Sequence, residues 1–273
     1  MIRRKEQFLD RIRQTPVWVW LTGIVSFSFL LKLLCWHMDP TVSRDGCLYI
    51  HQAQIWYDTG NFHDLLNLWP GRWVPPLPIY LMKCLMSLGL SGEVAGICLN
   101  LISGTFTPIL VYGIAYEVTQ KKNIAIYSAL LIAVNPSVNA LSIKVQRDMI
   151  YLFFIGSMLW LLTAGIRRER WGYWLCSGLF CGCGMLTRFE TLEFLLILPL
   201  SLLILFKENF ISWKKALCYA GVFFLSFSCL VTALSFLMHT QDYLFLNYGN
   251  YYQTKAKSVE QQFYSEQNEE LAE

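Results

Sequence analysis

Three short stretches hold charged side chains at spacings that can do chemistry. Arg44 and Asp45 sit in Pro40-Thr41-Val42-Ser43-Arg44-Asp45-Gly46-Cys47-Leu48-Tyr49. Lys144, Arg147 and Asp148 share the run Lys144-Val145-Gln146-Arg147-Asp148, and Arg188 and Glu190 flank Phe189, with Glu193 about one helical turn further on. A carboxylate at a water–membrane boundary can act as general base on an acceptor hydroxyl, while arginines and lysines clamp a phosphate leaving group. Asp45 suits the first task, and Lys144, Arg147 and Arg188 suit the second. Each stretch also has a plainer use. Ser43 or Asp45 can cap a helix beginning near Gly46. Asp148 can favour the positive N-terminal end of the helix it begins. Arg188 and Glu190 can form an ordinary turn pair. Glu193 is harder to place outside chemistry, because Leu192, Phe194 and Leu195 set it at the membrane edge, where an ionisable group is expensive unless it is used.

The elements that must hold these residues are membrane helices. Apolar residues make up 55% of the 273-residue chain and charged residues 15%, which is the balance of a polytopic membrane protein and not of a soluble domain. The net charge of +3 is spread over several short loops and forms no basic stripe, which argues against nucleic acid as a partner. Apolar runs near the required 20 residues predict an all-α bundle with spans at 17–36, 94–116, 124–143, 149–166, 171–187, 191–206 and 216–238. The basic stretch before the first run does not make it a signal peptide, since the run is too long and lacks a small-residue cleavage site. It is expected to remain as an anchor.

A shorter apolar stretch, 74–90, carries Pro75, Pro76, Pro78 and Lys83. Loop charges decide whether it crosses, because Lys and Arg favour the cytoplasmic side. If it does not cross, Arg3, Arg4, Lys5, Arg11, Arg13, Lys121, Lys122, Arg167, Arg168, Arg170, Lys207, Lys214 and Lys215 all fall on one side. Crossing would scatter them. The expected topology is therefore seven spans with the N-terminus inside and 74–90 as a juxtamembrane or re-entrant helix. The domain plan is a cytoplasmic basic N-terminus (1–16), a transmembrane module (17–238, with first outer loop 37–93) and an outer polar tail (239–273). Arg44, Arg72, Lys83, Lys144, Arg147 and Arg188 then lie outside against the usual bias and want a local anionic partner. A phosphate is one.

Within the first loop, Leu48, Ile50, Ala53, Ile55 and Trp56 alternate with polar residues as in an interfacial amphipathic helix, with Gly60-Asn61 as its stop and Trp69, Trp73 and Tyr80 as interface anchors. Eight of the nine cysteines lie in or beside apolar runs and read as small buried hydrophobes; Cys47 is in the polar loop. Cys181 and Cys183 point to different helix faces, which argues against a shared metal. His37, His51 and His63 with Asp39, Asp58 and Asp64 fit no compact ligand spacing.

The order of these features resembles GT-C type membrane glycosyltransferases of the dolichyl-phosphate-mannose protein mannosyltransferase superfamily, including bacterial relatives that use undecaprenyl-phosphate sugars. The resemblance is carried by Ser43-Arg44-Asp45-Gly46 with Tyr49, Trp73-Val74-Pro75-Pro76-Leu77-Pro78-Ile79-Tyr80, Asn135-Pro136, Ser142 through Gln146-Arg147-Asp148, and Leu186-Thr187-Arg188-Phe189-Glu190. It covers about residues 17–205. It implies a polyprenyl-phosphate sugar donor, inversion at the sugar carbon, Asp45 as catalytic base and a second acidic motif at Asp148, to which we add Glu190; the charge reading assigns the donor phosphate to Lys144, Arg147, Arg188 and Arg44. A glycan, lipid or protein would be the acceptor, at the outer face of a bacterial cytoplasmic membrane. In some relatives outer acidic residues hold a divalent metal, whereas lipid-phosphate enzymes often work without one, so the resemblance leaves a metal cofactor open. Such enzymes usually continue well beyond the seventh span, so this chain is expected to be a fragment or a minimal module. The competing reading is a non-catalytic binder of lipid phosphate or a transporter. A transporter would want broken helices at the membrane midplane, and Asn135-Pro136, the only such break, lies close to the outer end.

Overall fold

The computed structural model describes residues 15–68, 75–207 and 212–240. The N-terminal basic cluster, Trp69, Arg72, Trp73, the first residue of the 74–90 stretch and the tail from 241 lie outside the described residues. Among the described residues the chain forms eleven α-helices and no strand.

Local chemistry sets where the helices of the first loop start and stop. After α1 (Val17–Met38), helix α2 (Arg44–Thr59) begins at Ser43, whose Oγ accepts the Gly46 N–H at 3.0 Å. It ends where Gly60 takes φ +73° and donates to the Trp56 carbonyl, the left-handed closure that suits glycine. The short α3 (His63–Leu68) follows. Helix α4 (Pro76–Ser87) opens on prolines, which lack only N–H groups that a first turn leaves unpaired anyway. These loop helices do not simply float at an interface. Trp56, Phe62, Leu65, Ile79, Met82 and Met86 form one buried cluster with Val145 and Leu186, so the loop is folded down onto the bundle. Among the described residues Lys83 meets aromatic rings and no anion, standing 5.3 Å from the Trp56 centroid and 5.9 Å from that of Tyr80.

The bundle proper comprises α5 (Gly92–Thr119), α6 (Lys122–Ala133), α7 (Pro136–Ser142), α8 (Asp148–Arg168), α9 (Trp171–Met185), α10 (Thr191–Lys207) and α11 (Trp213–Leu237). By length and composition α1, α5, α8 and α11 can each cross a membrane, and α6 with α7 makes a fifth candidate, bent by 57°. Helices α9 and α10, at 15 and 17 residues, are short for a membrane crossing of about 20 residues, so length and apolarity support four to five spans where the sequence predicts seven. The span expected over 124–143 is divided into two helices at its Asn135-Pro136 break, because Pro136 cannot continue the ladder. Asn135 turns extended and its side chain accepts the Val138 N–H at 3.1 Å, starting α7 afresh.

Helix α5 is the central post, with 61% of its apolar stretch buried against 17% in α1 and α11. Contacts between α5 and α8 advance together along both chains, from Leu110 with Gly156 through Gly113 with Trp160 to Glu117 with Arg167 and Arg168, so these helices run parallel. The same holds for α9 and α11, from the stacked Trp174–Tyr219 pair at 5.2 Å through Gly178 against Phe223 to Gly182 against Leu230. The C-terminal ends of α1, α7, α9 and α11 therefore gather with the N-terminal ends of α5, α8 and α10 at one end of the bundle. At the opposite end the Glu117 side chain, only 2% exposed, is paired with Arg167 at 3.1 Å and with Arg168, and Lys215 pairs with Glu169.

Candidate functional site

The end of the bundle capped by α2 and α4 is where the charged stretches meet, and backbone contact brings them there. A Cβ built on Gly46 would stand 2.8 Å from the Val145 carbonyl oxygen and 2.9 Å from Val42 Cγ1, so only a residue without a side chain lets the start of α2 lie against the 143–147 run. A Cβ on Gly96 of α5 would in turn stand 2.5 Å from Val145 Cγ1. The third stretch is fixed by burial of the residues around Arg188. Leu186, Thr187 and Phe189 are buried, the Arg188 N–H donates to Gly184 O at 2.8 Å, and Leu77 at the start of α4 donates to Leu186 O at 3.2 Å. Arg188 and Glu190 are the residues this turn leaves facing the site.

Arg188 organises the acidic groups. Its guanidinium donates to Asp148 and, through Nη2 at 2.8 Å and Nε at 3.3 Å, to both oxygens of Glu190; its Cζ lies 5.3 Å from the Tyr151 ring centroid. This fork holds the Glu190 carboxyl down to about 2, against the opposing effect of partial burial, and raises Arg188 itself above its ordinary value. The plain uses are thus met as well: Ser43 is the cap of α2, Asp148 stands in the first turn of α8, and Arg188 with Glu190 is a turn pair.

The charges converge on Tyr49. Burial pushes its hydroxyl above the usual tyrosine range, and the fields of Arg147, Asp45, Asp148 and Arg188 all act on it. Tyr49 stands one turn beyond Asp45 on α2, and that i to i+4 spacing is the signal in the sequence. A cavity of about 10 Å³, room for about one water, lies between Tyr49, Asn100, Gln146 and Arg147. Asp45 is exposed and, among the described residues, makes no hydrogen bond or ion pair. Arg147 is half-buried and free of ion pairs among the same residues. Two expected members stand apart: Lys144 is 3.9 Å from Asp39, and Arg44 is exposed without a partner among the described residues. Glu193 is exposed and contributes, with Arg188 and Glu190, to the field at Tyr151.

At this end of the bundle the described residues offer a carboxylate, Asp45, and a guanidinium, Arg147, that are each outside any ion pair among those residues, and a carboxylate pair, Asp148 and Glu190, neutralised by Arg188. The family model described as dolichyl-phosphate-mannose-protein mannosyltransferase matches residues 73–236. The chain belongs to this family. The matched stretch holds Lys144, Arg147, Asp148, Arg188 and Glu190 and begins after Arg44 and Asp45. No curated protein and no solved structure matches the chain. Membership in the family, with several apolar helices long enough to cross a bilayer, makes this a multi-pass integral membrane protein of the GT-C glycosyltransferase type.

A divalent metal does not suit the side chains gathered here. Asp148 and Glu190, the natural ligands, share one guanidinium between them, and among the described residues no three His, Cys, Asp or Glu side chains converge.

The Arg188–Glu190 pair has a pH signature. Glu190 titrates at about 2 when folded and at an ordinary 4.5 when not, so the pair's contribution to stability is fully present above the unfolded value and is lost as pH falls from about 4.5 towards 2. The melting temperature is expected to drop through that window, and to drop less steeply in Glu190→Gln. Equal slopes for parent and variant would place the acid loss elsewhere.

Proposed function

We propose that the protein moves a sugar from a polyprenyl-phosphate donor, undecaprenyl- or dolichyl-linked, to an acceptor hydroxyl with inversion at the sugar carbon. In this reading the Asp45 carboxylate takes the acceptor's proton as the acceptor oxygen attacks the anomeric carbon. The bond from that carbon to the phosphate oxygen breaks, and the electron pair leaves with the polyprenyl phosphate. Arg147, with Arg44 and Lys144 at the rim, neutralises the departing charge. Arg188 has two guanidinium N–H bonds left after serving Asp148 and Glu190, so it both orders the acidic pair and adds to the clamp. The acceptor is a hydroxyl on a glycan, a lipid or a protein.

The observation that carries this reading is that three separate stretches are brought to one end of the bundle, the start of α2 by the contact of Gly46 with the Val145 carbonyl and the 187–190 turn by the Arg188–Asp148 pair. We place this end outside a bacterial cytoplasmic membrane, with the N-terminus inside. The supporting argument is charge bias: Lys121, Lys122, Arg167, Arg168, Arg170, Lys214 and Lys215 are all at the opposite end. We also count α9 and α10 as spans in a seven-span module over 17–238. Arg168, just before α9, pairs with Glu117 at the far end, whereas Arg188, just after it, pairs with Asp148 at the site.

The deciding experiment supplies the protein, in nanodiscs, with a panel of undecaprenyl-phosphate sugars and follows release of free lipid phosphate. Release with at least one donor is expected. Binding of undecaprenyl phosphate without release from any donor would favour the non-catalytic lipid binder.

A further inference from the structure

A lysine lies inside the bundle where the reading above leaves it unused. Lys32 of α1 is 0% exposed, six residues or about 9 Å inside the site-end terminus of its helix. Its Nζ donates to Ser28 Oγ at 2.7 Å, and among the described residues no carboxylate pairs with it. An ammonium has three N–H donors, so most of its hydrogen-bonding capacity is unspent. A lysine in a membrane helix ordinarily snorkels to the interface; this one turns inward, at a cost that needs a use.

Its surroundings indicate the use. A Cβ on Gly104 of α5 would overlap Ser142 Oγ and stand 3.0 Å from Lys32 Cε, so the lysine arm and the last residue of α7 share the space that this glycine leaves. The final carbonyls of α7 have no helical partners, and a cation beside a helix C-terminus is favourable. Around this point Asn139, one turn before Ser142, and Asn100, one turn from Gly104, are 4% and 1% exposed, and the Oδ1 of each lacks a hydrogen-bond partner. Asn100 also lines the small cavity that reaches Gln146 and Arg147. Buried polar groups thus lie on α1, α5 and α7 around Gly104, and one of them, Asn100, borders the cavity beside Arg147.

We infer that Lys32 is a positioning residue: its buried ammonium pins the C-terminal end of α7 against α5 and so fixes the 143–148 run that presents Lys144, Arg147 and Asp148. Ser142 is only two residues from Lys144, which leaves little slack between the pin and the site. The inference rests on the transferase reading only for its effect on turnover; its structural claim stands alone.

Lys32→Met keeps the length of the arm and removes its charge and donors. Exchanging a buried, uncompensated polar group for an apolar one of similar size leaves stability level or raises it. Hydrogen exchange on the full chain in nanodiscs should show amides of 143–150 exchanging about tenfold faster, with the melting temperature unchanged or higher and α9 to α11 unaffected. Ser28→Ala should produce a smaller rise in the same run. With any donor the parent turns over, kcat should fall while KM holds. Parent-like exchange at 143–150 in Lys32→Met would overturn the inference. So would a lowered melting temperature with faster exchange throughout the bundle, the mark of a packing residue alone. A parent that turns over no donor would sink the transferase reading and leave the exchange result to decide this one.

Discussion

Asp45→Asn is expected to lower sugar transfer by roughly 10²- to 10⁴-fold, the usual contribution of a positioned general base, while binding of undecaprenyl phosphate stays near that of the parent. The substitution is clean for structural reasons. Asp45 is exposed and accepts no hydrogen bond among the described residues, and the cap that starts α2 belongs to Ser43. What the fold loses is a negative charge in the first turn, worth about 0.3–1 kcal/mol at an exposed helix N-terminus. A large fall in transfer with a small change in melting temperature therefore reports on chemistry. Single-turnover release of lipid phosphate is the measurement, since it separates the chemical step from donor binding and product departure. Release from Asp45→Asn at the parent rate would remove Asp45 from the mechanism and turn attention to Tyr49, the hydroxyl on which the same charges act.

How far the sequence could be read depended on whether a feature was local. The start of α2 at Ser43 and its stop at Gly60 follow from capping chemistry within a few residues, and both are where that chemistry puts them. The charged stretches were visible as stretches. The face they share follows from the loop charges, but the contact between them does not, because it depends on Gly46 admitting a backbone carbonyl from a segment a hundred residues away. Lys83 shows the limit of charge reasoning: with no anion assigned, it settled on Trp56 and Tyr80. Lys32 and Glu117 were hidden for another reason. A window of about 20 apolar residues averages away one charge, so Lys32 vanished inside the first run and Glu117 fell one residue past the expected end of the second. Both are buried, and Glu117 ties α5 to α8 through Arg167 and Arg168. The Asn135-Pro136 break was legible, but its angle depends on how α7 packs against α5 and α1.

Gly46→Ala is expected to cost about 1–3 kcal/mol of stability, the range for an extra methyl forced into a packed contact, and to lower transfer by up to about 10²-fold. The added Cβ would meet the Val145 carbonyl at 2.8 Å, a separation that side-chain rotation cannot relieve because the opposing atom is backbone. Val145 cannot retreat, since it is 2% exposed and its Cγ1 already fills the space left by Gly96. Helix α2 is held at its far end by Trp56, also 2% exposed, in the cluster with Phe62 and Ile79. The strain is therefore taken up where α2 begins, by tilting that end away from 143–147 and carrying Asp45 with it. Gly23→Ala is the matched control, because nothing lies within 4 Å of the Cβ it would add to α1 and an interior helical alanine gains roughly 0.5–1 kcal/mol over glycine. Melting temperature and turnover should part company between the two variants, with transfer in Gly46→Ala falling further than its stability loss explains. Full transfer in a destabilised Gly46→Ala would mean that the contact with Val145 holds the fold together without setting the position of Asp45.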